Sequence, residues 1–221
     1  MSLSLKAQDR GQEEYTRITS PNYLEQLLQK KSTSEYVITS EHTSKMSGIK
    51  HTYVRQAING LEVFGTESSL HTDVTGKTVV AHVNFVKEIG ASVKNSSTSI
   101  TAEQAISRVA QQMNYRLSNL AQIESPKGIN QKGLYNGAGI SGTDIPVKLM
   151  YYYQEGIGTR LVWELSVMEK DSPDWWNFRV DVSSGAIIDK DNWTNSCDIM
   201  GDHSDEGHKA WLKIKQISWL K

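Results

Sequence analysis

Cysteine occurs once in 221 residues, at Cys197, so no disulfide within the chain can hold a loop-rich scaffold together. The fold must rest on buried apolar surface. An excess of one charge is lacking too: 24 basic against 25 acidic side chains leave a formal net charge of -1, with no basic run. Nucleic acid is therefore not an expected partner. Hydrophobic residues make up 38% and come in short runs, none near the roughly 20 residues that cross a bilayer. Met1–Arg17 contains no apolar core of signal-peptide length, so the chain is either cytosolic or has lost a signal that preceded it.

Catalytic signatures are lacking as well. No His-Glu-x-x-His sets two imidazoles one helical turn apart for zinc. No Gly-x-Ser-x-Gly elbow occurs; Gly139-Ile140-Ser141-Gly142 comes nearest, one residue short. The glycines of 133–142 do not lead from a strand into a helix with a lysine, so a phosphate loop fails. Cys197 has no histidine partner in sequence and reads as an inert thiol. His51, His71 and His82 alternate with Thr or Val along strand-like segments, the pattern of a solvated sheet face rather than a metal site. Asp202, His203, Asp205, Glu206 and His208 crowd ligand types into a polar tail, again expected to be solvated. No catalytic residue, metal or cofactor is assigned to this chain.

What is present is strongest between Arg160 and Trp193. Leu161, Trp163, Leu165 and Val167 alternate with Val162, Glu164 and Ser166; Trp176, Phe178, Val180 and Val182 alternate with Asn177, Arg179 and Asp181. Side chains flip faces at each strand residue, so this period of two predicts two half-buried strands. Met168 against Trp175 sets Leu165 against Phe178 and Glu164 against Arg179, the last as a surface ion pair on the wet side. A slip of one residue would put Trp163 in water, so the register is strongly specified. Val182-Ser183-Ser184-Gly185 then turns into Ala186-Ile187-Ile188, completing a three-stranded meander.

Upstream, Ser20-Pro21 opens a capped helix through Lys31, with Leu24, Leu27 and Leu28 on one side for packing or for a partner helix. From Glu35 to Val86 the segments YVITSEH, IKHTYVRQAI, SSLHTDV and TVVAHVNFV predict a mainly antiparallel meander of about four strands. Asn59-Gly60 and Thr75-Gly76-Lys77 mark turns. Residues 86–99 read as a linker. Ile100, Ala105, Ile106, Val109 and Met113 then recur at helical spacing behind a Thr101/Gln104 capping box. Residues 124–144 are rich in Gly, Ser and Asn and read as a long loop, with VKLMYYYQE a further strand after it. Residues 195–221 form an acidic then basic tail ending in a Trp-bearing helix candidate, for which a packed tail ranks above a membrane-surface role. His71–Gly76 and Arg179–Gly185 echo one another, each an Asp-Val hairpin.

LVWELSV, WWNFRVDVSSGAII and the closing DNW resemble the C-terminal part of the PepSY-type propeptide domain of secreted zinc metallopeptidases of the fungalysin and thermolysin kinds. HTYVRQAINGLEVFG and HTDVTGKTVV resemble the short fungalysin/thermolysin propeptide motif, with Gln56, Gly60, Val63, Asp73 and Gly76 where that pattern expects them. The resemblance implies an α+β fold of two successive cystatin-like modules, each an antiparallel sheet with a packing helix. They would span 35–90 and 99–194, between a helix-bearing extension at 1–34 and the tail at 195–221. It also implies a non-catalytic, secreted or extracellular pro-region, with its signal removed, that assists folding of a zinc endopeptidase and inhibits it. The partner would be the cognate metallopeptidase catalytic domain, and zinc would belong to that domain. Gln56, Asn59 and Gly60 are candidate contacts. Asn192 and Trp193 would anchor a cleft-approaching segment formed by Thr194, Asn195, Ser196, Cys197 and Asp198. A free-standing peptidase inhibitor or binding module of the same fold is the alternative.

Overall fold

The computed structural model describes residues 35–194 apart from Asn95. Five strands come first: β1 (Tyr36–Thr43), β2 (Lys50–Ile58), β3 (Leu61–Phe64), β4 (Ser68–Thr72) and β5 (Thr78–His82). A short 3-10 helix (Ile89–Ser92) and the helix α1 (Ala102–Gln112) follow. Six strands complete the order: β6 (Gln122–Lys127), β7 (Lys132–Tyr135), β8 (Ile145–Gln154), β9 (Gly158–Met168), β10 (Trp175–Asp181) and β11 (Ile187–Asn192).

The class is α+β. Among the described residues the packing α-helix belongs to the second half, and the helix expected at 20–31 lies outside them. The strands of both halves run into one mixed sheet, ordered β11-β10-β9-β8-β3-β2-β4-β5, with β1 on β2 and the β6–β7 hairpin on β8. The joint is parallel: Val63 pairs with Tyr151 and Phe64 with Tyr152.

The expected register between the two Trp-bearing strands holds throughout. Trp175 faces Met168, Phe178 faces Leu165 and Arg179 faces Glu164, with β11 adding the third strand of the meander. One face of this sheet carries Leu149, Tyr151, Leu161, Trp163, Leu165, Phe178 and Val180, all buried. Helix α1 covers it with Ala102, Ala105, Ile106, Val109 and Ala110, the spacing that keeps one helical stripe apolar. Its start is fixed by the capping box, Thr101 Oγ1 accepting from Gln104 N and Gln104 Oε1 accepting from Thr101 N. Its end is tied to the β10–β11 turn, since Gln112 donates to Gly185 O at 2.9 Å and accepts from Ile187 N at 3.0 Å.

Two expectations are corrected. Residues 124–144 are not a featureless loop, because β6 and β7 pair there as a hairpin and β7 continues onto β8 at Gly133–Tyr135. The β6 side chains are largely exposed, so no apolar alternation marked that strand. Residues 86–99 are more than a linker: the 3-10 helix buries Ile89, and Val93 bridges to Thr159.

Candidate functional site

On the β8–β10 part of the sheet, the face away from α1 is a buried ionic layer. The surface pair expected between Glu164 and Arg179 is overturned, for both are buried, at 2% and 0% exposure, and each has other partners. Arg179 reaches Asp189 at 2.5 Å and Asp191 at 2.6 Å, and its guanidinium lies 3.7 Å from the centroid of Phe64. Phe64 is carried there by the parallel β3–β8 joint, where it also stacks on Tyr152. Alternation assigned the correct side to Glu164 and Arg179, but β3 comes from a distant part of the sequence and closes that side off. Glu164 instead accepts from Asn177 Nδ2 at 2.7 Å and lies 3.4 Å from Lys148 Nζ.

Lys148 also pairs with Glu62, which Arg55 contacts at 2.6 Å. Glu67 stands 2.9 Å from Arg55 Nε but off the N–H axis, a charge contact rather than a hydrogen bond. Burial works against ionising Glu62, but Lys148 and Arg55 outweigh it and hold the carboxyl below its usual range. Burial likewise opposes the charge on Arg55, and Glu62, Glu164 and Glu67 overcome it, leaving the guanidinium more basic than usual. Glu62 is thus committed to two cations at once. The layer pins β3 to β8–β10.

The candidate contact residues divide between a buried position on β2 and one end of the sheet. Gln56 is fully buried. Its Nε2 donates to Val86 O at 2.9 Å and its Oε1 accepts from Val86 N at 2.6 Å, so it latches β2 to the segment after β5. Asn59 and Gly60 form the expected tight turn, both exposed and both at positive φ, 51° and 77°. They line a shallow groove of about 400 Å³ with Glu35, Tyr36, Ala57 and Ile129. Ile129 comes from the β6–β7 turn, and nothing in the sequence signalled it. A Cβ on Gly60 would sit 3.1 Å from Ile129 Cδ1.

Asn192, Trp193 and Thr194 close the chain's described part. Asn192 donates to Asp174 Oδ1 at 2.6 Å, Trp193 meets Trp175 edge-on at 5.5 Å, and Thr194 Oγ1 accepts from Trp175 N at 2.9 Å. This segment is thus pinned to the β9–β10 loop. Strand directions bring the β2–β3 turn and the end of β11 to the same end of the sheet, four strand spacings apart. At about 4.8 Å per strand that separation is roughly 19 Å. Asn195, Ser196, Cys197 and Asp198 lie outside the described residues, as do the acidic segment from Asp198 to His208 and the Trp-bearing tail.

The histidines behave differently from one another. His51 and His71 come together, and His42 joins them, while His82 stands exposed on β5 opposite Ser69. Among the described residues no group of three or more His, Cys, Asp or Glu is arranged to hold a metal ion. Among them, too, no helix is long and apolar enough to cross a membrane.

Residues 34–85 match the family model described as the Fungalysin/Thermolysin Propeptide Motif. That match spans β1 to β5 and includes Gln56, Asn59 and Gly60. Among solved structures, the Bacillus megaterium YpeB C-terminal domain aligns at 10% identity with a TM-score of 0.40, over 83% of this chain and 70% of that one. A search of curated proteins gave no match. Residues 34–85, β1 to β5, therefore carry a propeptide motif of the fungalysin/thermolysin type.

Proposed function

We propose that this chain is the pro-region of a secreted zinc endopeptidase of the fungalysin/thermolysin kind, non-catalytic itself, and that it chaperones and inhibits the attached catalytic domain. The observation that carries the reading is the propeptide motif at 34–85. In this reading the second half serves as the PepSY-type partner module. Zinc belongs to the enzyme, and the pro-region works by binding.

The end of the sheet that bears Asn59, Gly60 and residues 192–194 is the contact surface in this proposal. The groove between Tyr36 and Ile129 is mostly apolar, with the backbone turn of Asn59-Gly60 exposed beside it, which suits an extended peptide segment or a loop of the enzyme. Trp193, braced on Trp175, aims the chain that follows from a fixed point. Inhibition then comes from Thr194 and residues 195–198 approaching the substrate cleft, and chaperoning from preferential binding to the enzyme's folding transition state.

The test is to add the isolated chain to a thermolysin-type catalytic domain in two ways. Stoichiometric chain should raise the recovered activity when the denatured domain is refolded, and should lower the activity of the folded enzyme in a saturable manner. A chain that does neither refutes the proposal.

A further inference from the structure

Three imidazoles line up across neighbouring strands on the face of the first sheet that carries Tyr53 and Val80. The antiparallel registers set His42 opposite His51, His51 opposite His71, and His71 opposite Val80. Residues directly opposite share a face, so the three rings form one row. His42 stacks on His51 with centroids 4.8 Å apart and planes inclined by 11°. His51 meets His71 edge-on at 4.7 Å, with their Nδ1 atoms 2.7 Å apart. That contact needs a proton between the nitrogens: one ring must carry Nδ1–H and the other must accept through Nδ1. A second proton removes the acceptor and leaves two N–H groups and two positive charges head to head.

The surroundings offer these charges little relief. Tyr53 flanks the row, 6.0 Å from His42 and 6.3 Å from His71. Lys50 and Glu41 pair with each other at 3.0 Å at alternate positions, which face the other side of the sheet. Farther along the same side Arg55 is held by Glu62 and Glu67. His82, opposite Ser69, is a diagonal neighbour and adds positive charge on protonation. Burial, and after it the charges of His51 and His42, hold His71 below the usual imidazole range.

We propose that the His42–His51–His71 row is a pH-sensitive clasp, which holds β1 and β4 to β2 while one of the bonded imidazoles is neutral and loosens them on acidification. The clasp rests on the sheet's geometry and is independent of the peptidase reading. The sign follows from the lowered pKa of His71. Its contribution is fully present above the unfolded imidazole value of about 6.5 and is lost as pH falls through the lower folded value. The loss is local because this sheet's own core is small, Val54, Leu70, Ala81 and Phe85, whereas β9 and β10 share the extensive core under α1.

Hydrogen exchange of the whole chain at about pH 7.5 and about pH 5, corrected for intrinsic rates, reads the effect on either side of the imidazole range. Amides of β1, β2 and β4 should lose protection at the lower pH, while those of β9 and β10 keep theirs. The variant His71→Gln should flatten that pH dependence. Should the variant fail to fold, NMR titration of the imidazoles in the unaltered chain decides, with His71 expected to titrate below the ordinary range. Equal protection of β1, β2 and β4 at both pH values overturns the clasp. So does an ordinary titration of His71, or a pH dependence that survives in His71→Gln.

Discussion

Replacing Gln56 with leucine separates a latch from a contact surface. Leucine keeps most of the buried volume but removes both hydrogen bonds to Val86. A typical net hydrogen bond contributes about 1 kcal/mol, and a polar group left buried without a partner costs about 1–3 kcal/mol. Val86 is only half-buried, so water can replace part of what is lost, and the lower values apply. The expected destabilisation is about 2 kcal/mol for Gln56→Leu. Gln56→Ala adds the lost burial of the stem and a cavity at a fully buried position, for about 3–4 kcal/mol. Gln56→Glu gives a sign as well as a size. A carboxylate at this buried position can accept from Val86 N but cannot donate to Val86 O, so its folded pKa is raised above the unfolded value of about 4.3. The Gln56→Glu variant should therefore be most stable below the unfolded value and lose stability as pH rises through the folded one. Urea denaturation at constant m reads all three variants. If Gln56→Leu stays within about 0.5 kcal/mol of the parent, the range of an ordinary surface change, the latch is wrong. Loss of peptidase binding in that same stable variant would make Gln56 a contact residue instead.

The remaining predictions concern the joint between the halves, the helix start and the turn beside the groove. Arg179→Met should cost about 2–3 kcal/mol in urea denaturation, below the usual figure for a broken buried pair because Asp189 and Asp191 are 28% and 46% exposed and can rehydrate. A double-mutant cycle with Phe64→Leu should show a coupling of about 1 kcal/mol from the cation–π contact, and additive losses would refute that contact. Thr101→Ala should lower stability by about 1 kcal/mol through loss of the capping box, and an unchanged thermal midpoint would refute its role. Gly60→Ala should cost about 1–2 kcal/mol, since the residue sits at φ 77° and the new Cβ would press on Ile129. An unchanged urea midpoint would mean that the β2–β3 turn relaxes freely.

Much of the second half could be read from residue order because both of its signals are local. Trp163, Leu165, Phe178 and Val180 alternate cleanly, and Glu164 can face Arg179 in one register only, so pairing and direction follow. What lies over each face is not a local property. Phe64 reaches Arg179 through a parallel pairing between β3 and β8. Parallel pairs need long crossovers, which no hairpin signal announces. The same limit hid Ile129, an exposed residue in a Gly-rich stretch that acquires meaning only where the β6–β7 turn abuts Gly60. His51 and His71 were visible as a face, yet His42 was not singled out. Its place in the row depends on an irregular step between Ile38 and Ser40 that shifts the β1 register.

The Asp-Val echo shows how local chemistry can imitate duplication. Asp73 Oδ1 accepts from Thr75 N and Lys77 N, with Gly76 N donating to Asp73 O. Asp181 Oδ1 accepts from Ser183 N and Ser184 N, with Gly185 N donating to Asp181 O. The two glycines fall at different offsets from their aspartates, so the segments do not superimpose as copies of one turn. Each uses a carboxylate to satisfy the backbone of a tight bend, which suffices to explain the likeness. The division in packing lies elsewhere, at Thr66. This buried residue donates from Oγ1 to Val63 O at 2.7 Å and accepts from Gln56 N at 3.0 Å, bending the chain between β3 and β4. Before the bend, Leu61 and Val63 belong to the core under α1; after it, Leu70 belongs to the small core with Val54 and Phe85. Hence the propeptide motif is itself split, with β3 fastened to the larger core by the ionic layer while β1, β4 and β5 depend on the small core and on β2. A perturbation of the motif should therefore loosen those outer strands before it detaches β3.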